Sequence, residues 1–363
     1  MATTTKVGVR RCRPLRVESD EHAWFVTSRI IEERFLLHPI LTCGARPVGR
    51  RARRLCDRLQ RHCDRRLARV VARANELRGP YQPQLTLEDA REVAKGLVGS
   101  ALARAQERYG TKVYGLVVMS NHVHVVCQTR GRNLSKFMGY FKARITDGIH
   151  LLTARSGPLW ARRYDAEAIV DDEGMADRMG YTVANPQNAK LVASSEQWPG
   201  LLLTFGECEE QALEFWYFDA TAWHRKKRPA DLRPFFKTST LTLSPIPSCE
   251  GMSAELYRQS LQRWVDQALA KAAARRKERG NLQAPQPLGV DKVIHADFAQ
   301  RPRNPARRRR PYAHGRPENV RGYLHATLAT VADYDERAER YRNGEHDVVL
   351  PSGTYRPPLM RAA

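Results

Sequence analysis

The chain has 363 residues, long enough for one well-packed core plus a second domain or a long appendage. Its 61 Lys and Arg stand against 39 Asp and Glu, a formal charge of +22, and the excess is clustered, so the surface presents a positive field suited to a polyanion, nucleic acid first. No apolar run approaches the roughly 18–20 residues of a membrane span, the start has no apolar leader segment, and the 7 cysteines include no CxxC pair; a soluble, cytoplasmic, nucleoid-associated protein with reduced thiols is expected.

In chain order, residues 1–21 read as a polar tail, and "AWFVTSRII" (23–31) is aromatic and β-branched, as a first strand should be. The Arg-dense stretch 46–78, within an insertion spanning about 44–80, repeats Leu55, Leu59, Leu67, Val70 and Val71 at helical intervals and predicts a basic helix. "TLEDAREVAKGLVGSALARAQERYG" (86–110) has a Thr cap, acidic residues in its first turn and a closing Gly110, the marks of an amphipathic helix. "KVYGLVVM" (112–119) and "HVHVVCQT" (122–129) are two strands joined at Ser120 and Asn121. "LSKFMGYFKARITDGIHLLTAR" (134–155) predicts a helix and "PLWARRYDAEAIV" (158–170) extended chain. "DEGMADRMGYTVANP" (172–186) predicts a short helix stopped at Pro186, which puts Asn185 at a frayed end. Beyond about residue 200 come an aromatic and basic run (213–229), a long basic helix (253–280) and a Pro- and Arg-rich segment (301–317) with no means of building a core.

Side chains alternate along a strand, so His122 and His124 share one face while Val123 and Val125 point the other way into a core. Their Cα atoms lie about 6.6–7 Å apart at the usual rise, close enough for two imidazoles to hold one divalent ion. Two ligands leave such a site unfinished. One turn apart on a helix, Tyr181 and Asn185 share a face and project together toward the sheet.

With this order of elements, "MSNHVH" closely resembles the HUH motif of the Y1 transposases, the IS200-like family and its REP-associated tyrosine transposase relatives. "YTVANPQNAKLV" is similar to that family's Tyr-apolar-x-x-Asn-Pro pattern, and "GPLWARRYDAEAIV" to its G-x-Leu-Trp-x-x-Arg-Tyr run. The resemblance covers roughly residues 22–200. It implies an α+β fold, an antiparallel sheet flanked by helices (HUH, ferredoxin-like), with Tyr181 as nucleophile and His122, His124 and Asn185 as ligands of Mg²⁺ or Mn²⁺. It further implies cleavage and rejoining of single-stranded or hairpin DNA through a 5′-phosphotyrosine, in a monomer or a homodimer whose tyrosine helix completes its own site or a partner's. The resemblance carries nothing beyond about residue 200; from their basic composition, residues 201–363 are expected to form an accessory region that binds DNA.

Phosphate contacts are expected from Arg50, Arg51, Arg53, Arg54 and Arg58 in the insertion, Lys142 and Arg144 on the helix 134–155, Arg162 and Arg163, and Arg225, Lys226 and Lys227. Phe215, Trp216, Tyr217 and Trp223 suit either base stacking or a core. Tyr164, Tyr140 and Tyr114 compete as nucleophiles, but none has a polar ligand one turn on in a later helix. Two rival functions stay open: a hydrolase that uses the HxH pair with a water nucleophile, and a DNA-binding protein of the same fold without turnover.

Overall fold

The computed structural model describes residues 17–34, 37, 96–153, 156–206, 212–227, 229, 233–278, 286–294, 296 and 313–357. The insertion 44–80 with its five named arginines, and the Thr cap and acidic turn of the helix expected from 86, lie outside the described residues.

The fold is α+β. A six-stranded sheet is formed by β1 (Ala23–Arg29), β2 (Lys112–Met119), β3 (His122–Gln128), β4 (Asp165–Ile169), β5 (Leu202–Thr204) and β8 (Ala313–His314), in the order β5-β2-β3-β1-β4-β8. Every pairing is antiparallel except β4 with β8, which is parallel. Two of these six strands come from beyond residue 200. The Pro- and Arg-rich segment therefore does contribute to a core at its end, a correction to the sequence reading: Ala313 is buried against β4, and the peptide hydrogen bond from Val170 N to His314 O extends the pairing. Two residues on a free edge suffice for this, too few to leave an alternating pattern.

The strand β3 lies centrally between β1 and β2, which places its histidines mid-sheet. Val123 and Val125 on the opposite face are fully buried, in one core with Trp24, Val26 and the inner residues of α1 (Leu97–Tyr109) and α2 (Leu134–Thr153), among them Leu102, Phe137, Phe141 and Ile145. The helix α1 ends at Gly110, whose left-handed backbone (φ 59°) returns its N–H to Gln106 O, as the sequence predicted.

The histidine face is covered by α3 (Asp172–Asn188). Asp171, in extended conformation, caps it by accepting from Gly174 N at 2.8 Å, and Asp172 and Glu173 occupy the first turn. Pro186 does not stop this helix, contrary to expectation, so Asn185 is a buried residue inside it and not a frayed end. Proline in a last turn forfeits one backbone donor, and the chain needs only two more residues before it turns; Ala189 N still donates to Asn185 O at 2.9 Å.

Against α3 lies α5 (Ala254–Glu278), the long basic helix expected from 253, with α4 (Ala220–Arg225) and a hairpin of β6 (Ala212–Phe218) and β7 (Phe236–Thr242) between it and the sheet in sequence. A Cβ on Gly180 would stand 2.2 Å from Trp264 O, so only glycine lets the two backbones approach this closely. Lys271 on α5 also pairs with Asp177 on α3 at 2.7 Å. A short helix α6 (Val290–Ile294) and a long α7 (Pro317–Arg342) complete the described elements. The terminal stretch is docked, with Glu18 N donating to Gly353 O at 3.0 Å and Tyr355 packed on Tyr334.

Candidate active site

Cross-strand neighbours on an antiparallel sheet share a face, so the register fixes what surrounds the pair. His124 stands opposite Thr27 on β1 and Val117 on β2; His122 stands opposite Arg29 and Met119. Phe25 and Glu167 extend the same face toward β4 and β8. The two imidazoles meet edge to face, ring centroids 4.8 Å apart.

Each ring is oriented by its Nδ1. His122 Nδ1 donates to Asn121 Oδ1 at 2.6 Å, and His124 Nδ1 lies 2.9 Å from Thr27 Oγ1. The Asn121 oxygen accepts, so the His122 proton sits on Nδ1 and its Nε2 keeps the lone pair, whereas the Thr27 hydroxyl can accept from or donate to His124 Nδ1; no hydrogen bond to either Nε2 is found among the described residues. Burial first, then the Arg29 charge, pushes His122 down to about 3. Burial likewise holds His124 well below the ordinary imidazole value, helped by His122, Arg29 and Arg178. Both rings are neutral at pH 7, the state a cation requires of an imidazole ligand.

Tyr181 reaches this pair from α3. Its ring lies edge-on to His124 at 5.7 Å and to Phe25 at 5.7 Å, while Phe25 stacks on His124 at 4.9 Å. The Arg178 guanidinium lies 4.8 Å from the Tyr181 ring and 5.3 Å from that of Phe25, and is itself paired with Asp177. Asn185 follows one turn on, buried on the same helix. His122, His124 and Tyr181 are thus brought together within one chain. The residues Thr27, Asn121, Arg29, Phe25 and Arg178 belong to this site but were not singled out from the sequence.

Among the described residues no group of three or more His, Cys, Asp or Glu side chains could hold a metal ion. Two imidazole nitrogens would give a divalent cation two donors, and the remaining positions would have to be filled by an amide such as that of Asn185, by water or by a substrate oxygen.

The other expected phosphate contacts lie elsewhere. Lys142 Nζ donates to Arg162 O at 2.9 Å and sits over Trp160. Arg144 is held by Asp147 at 2.9 Å and Thr221 at 3.1 Å. Arg162 pairs with Asp165 at 2.7 Å, and Arg163 lies beside the Tyr164 ring. None of these contacts involves the histidine pair. Arg225, Lys226 and Lys227 are exposed at the end of α4. Of the competing tyrosines, Tyr114 is tied to Gln128 at 2.8 Å and burial pushes its phenol up to about 12, which disfavours it as a nucleophile. Tyr164 contacts Ser135, and Tyr140 packs against Tyr109.

No protein-family model and no curated protein matches the sequence. Among solved structures, a match is found to a REP-associated tyrosine transposase bound to a REP hairpin, at 14% identity and a TM-score of 0.31, covering 52% of this chain and 81% of that one. A likeness this slight assigns no activity to the chain.

Proposed function

We propose that this protein is a metal-dependent tyrosine nuclease and strand transferase for single-stranded or hairpin DNA, of the Y1 HUH transposase type that its motifs resemble. The observation that carries the reading is the approach of Tyr181 to within 5.7 Å of His124, ring to ring, on the sheet face where the two imidazoles of His122 and His124 meet edge to face at 4.8 Å. A half-buried tyrosine could pack anywhere on a sheet; this one stands at the histidine pair, with the Arg178 guanidinium 4.8 Å from its ring.

His122 and His124, with Asn185, would hold Mg²⁺ or Mn²⁺. Bound there, the cation would supply Lewis acidity to a non-bridging phosphate oxygen. Tyr181 Oη attacks phosphorus as its proton passes to solvent; the Oη–P bond forms, the P–O3′ bond breaks, and the departing 3′-oxygen takes up a proton. The 5′-phosphotyrosine retains the ester, so a later 3′-hydroxyl can reverse the step. Arg178 and Arg29 bring positive charge to the same face, where it offsets the charge that builds on phosphorus.

Incubation with Mn²⁺ and end-labelled hairpin or single-stranded oligonucleotides tests the reading. A denaturation-resistant adduct is expected from the wild type and none from Tyr181→Phe or His122→Ala. Cleavage by Tyr181→Phe without adduct would move the case to a water-using hydrolase. Tight binding by the wild type with neither cleavage nor adduct would leave a DNA-binding protein.

A further inference from the structure

The hairpin β6–β7 has an inner and an outer face of different character. Its inner face is fixed to α1. The Phe215 ring fills the space over Gly99, where an added Cβ would meet its Cε1 at 2.4 Å; the Arg104 guanidinium covers the Tyr217 ring at 4.0 Å; and the Gln106 side-chain amide brackets Thr242, accepting from its N at 2.8 Å and donating to its O at 2.7 Å. Alternation then sends Glu214, Trp216 and Phe218 outward, opposite Thr240, Thr238 and Phe236.

On that outer face Trp216 is 51% exposed, the opposite of what an indole adopts when it packs a core. Two residues on, Phe218 carries Trp223 edge-on at 5.8 Å and Phe236 at 5.2 Å, and the aromatic row leads through α4 to exposed Arg225, Lys226 and Lys227. None of these three cations has an ion pair among the described residues, and the one acidic group on the strand's outer face is Glu214. An exposed ring bordered by hydroxyls, continued by aromatics and ending in three cations matches a single strand, whose bases offer flat faces and whose backbone offers a charge per nucleotide.

We propose that the outer face of the 212–242 hairpin is a second binding surface, a stacking platform for single-stranded nucleic acid. Trp216 stacks on a base, while Arg225, Lys226 and Lys227 meet the adjoining phosphates. The surface is separate from the histidine and tyrosine site and does not depend on how that site is read.

Equilibrium binding of labelled oligo(dT) and oligo(U) to the full chain tests this in a Tyr181→Phe background, where no covalent capture contributes. Trp216→Ala should weaken binding about 5- to 100-fold, and Trp216→Phe should retain most of it. Replacing Arg225, Lys226 and Lys227 together with Gln should lower the slope of log affinity against log salt by about 2, at roughly 0.7 per lost phosphate contact. A loss with both oligonucleotides, or with one alone, supports the platform and names the sugar it prefers. Affinity of Trp216→Ala within twofold of its parent for both, with unchanged near-ultraviolet dichroism, overturns it. So does a shift from oligomer to monomer in sedimentation with affinity unchanged, which would make the face a contact between copies of the chain.

Discussion

Thr27 Oγ1 lies 2.9 Å from His124 Nδ1, so a residue on the first strand sets the orientation of an imidazole 97 positions later. Asn121 does the same for His122 from the adjacent turn. Metal-binding imidazoles depend on such partners to hold the ring and the tautomer.

Thr27→Val keeps the shape and removes the oxygen. It should weaken Mn²⁺ binding about 10- to 100-fold while changing the fold little, and Asn121→Ala should act in the same direction. Calorimetric titration of Mn²⁺ into each variant measures this. Wild-type affinity in both would show that these oxygens do not orient the rings.

The helix that carries Tyr181 packs against α5, and at Gly180 the two backbones approach too closely for a Cβ. Alanine would ordinarily gain about 1 kcal/mol over glycine within a helix. Here its Cβ would meet Trp264 O at 2.2 Å, and backbone cannot swing aside as a side-chain tip can. Overpacking of this kind costs about 1–3 kcal/mol, so Gly180→Ala should lower the urea midpoint. A raised midpoint would mean that α5 yields freely.

Burial opposes ionisation of Asp177, yet the Arg178 charge and hydrogen bonds from Lys271 and Arg178 outweigh it and pull the carboxyl from 3.8 down to about 2. The folded value is below the unfolded one, so this contribution is fully present above pH 3.8 and is lost as pH falls through about 2. Asp177→Asn should therefore cost about 1–2 kcal/mol at neutral pH and progressively less across that acid window. Denaturant unfolding of both proteins as a function of pH checks it; a cost that does not shrink on acidification would contradict the pairing.

Much of the fold was legible because short periods survive in the sequence. The alternation in "HVHVV" shows which residues share a face, and four-residue spacing joins Tyr181 to Asn185 on one side of a helix. Thr27, Arg29 and Phe25 were not legible as site residues, since their place depends on which strand pairs with β3 and in what register. Arg178 stands one helical turn before Tyr181, and that spacing could have marked it. Ala313 and His314 form too short a strand to show a period, and Pro186 misled because a general preference against helix before proline yields when the helix is about to end. The outward turn of Trp216, against the inward turn of Phe215 and Tyr217, needed the hairpin register and its anchors on α1.

The central claim is that Tyr181, seated against His124, takes DNA onto its own oxygen. Mass-spectrometric mapping of a denatured, nuclease-trimmed product after incubation with Mn²⁺ and single-stranded DNA tests it most directly. The account predicts a nucleotide 5′-phosphate on Tyr181 alone, with a polymerase-extendable 3′-hydroxyl on the released fragment. DNA attached to Tyr164 or Tyr140, or cleaved strands with every tyrosine unmodified, would contradict it.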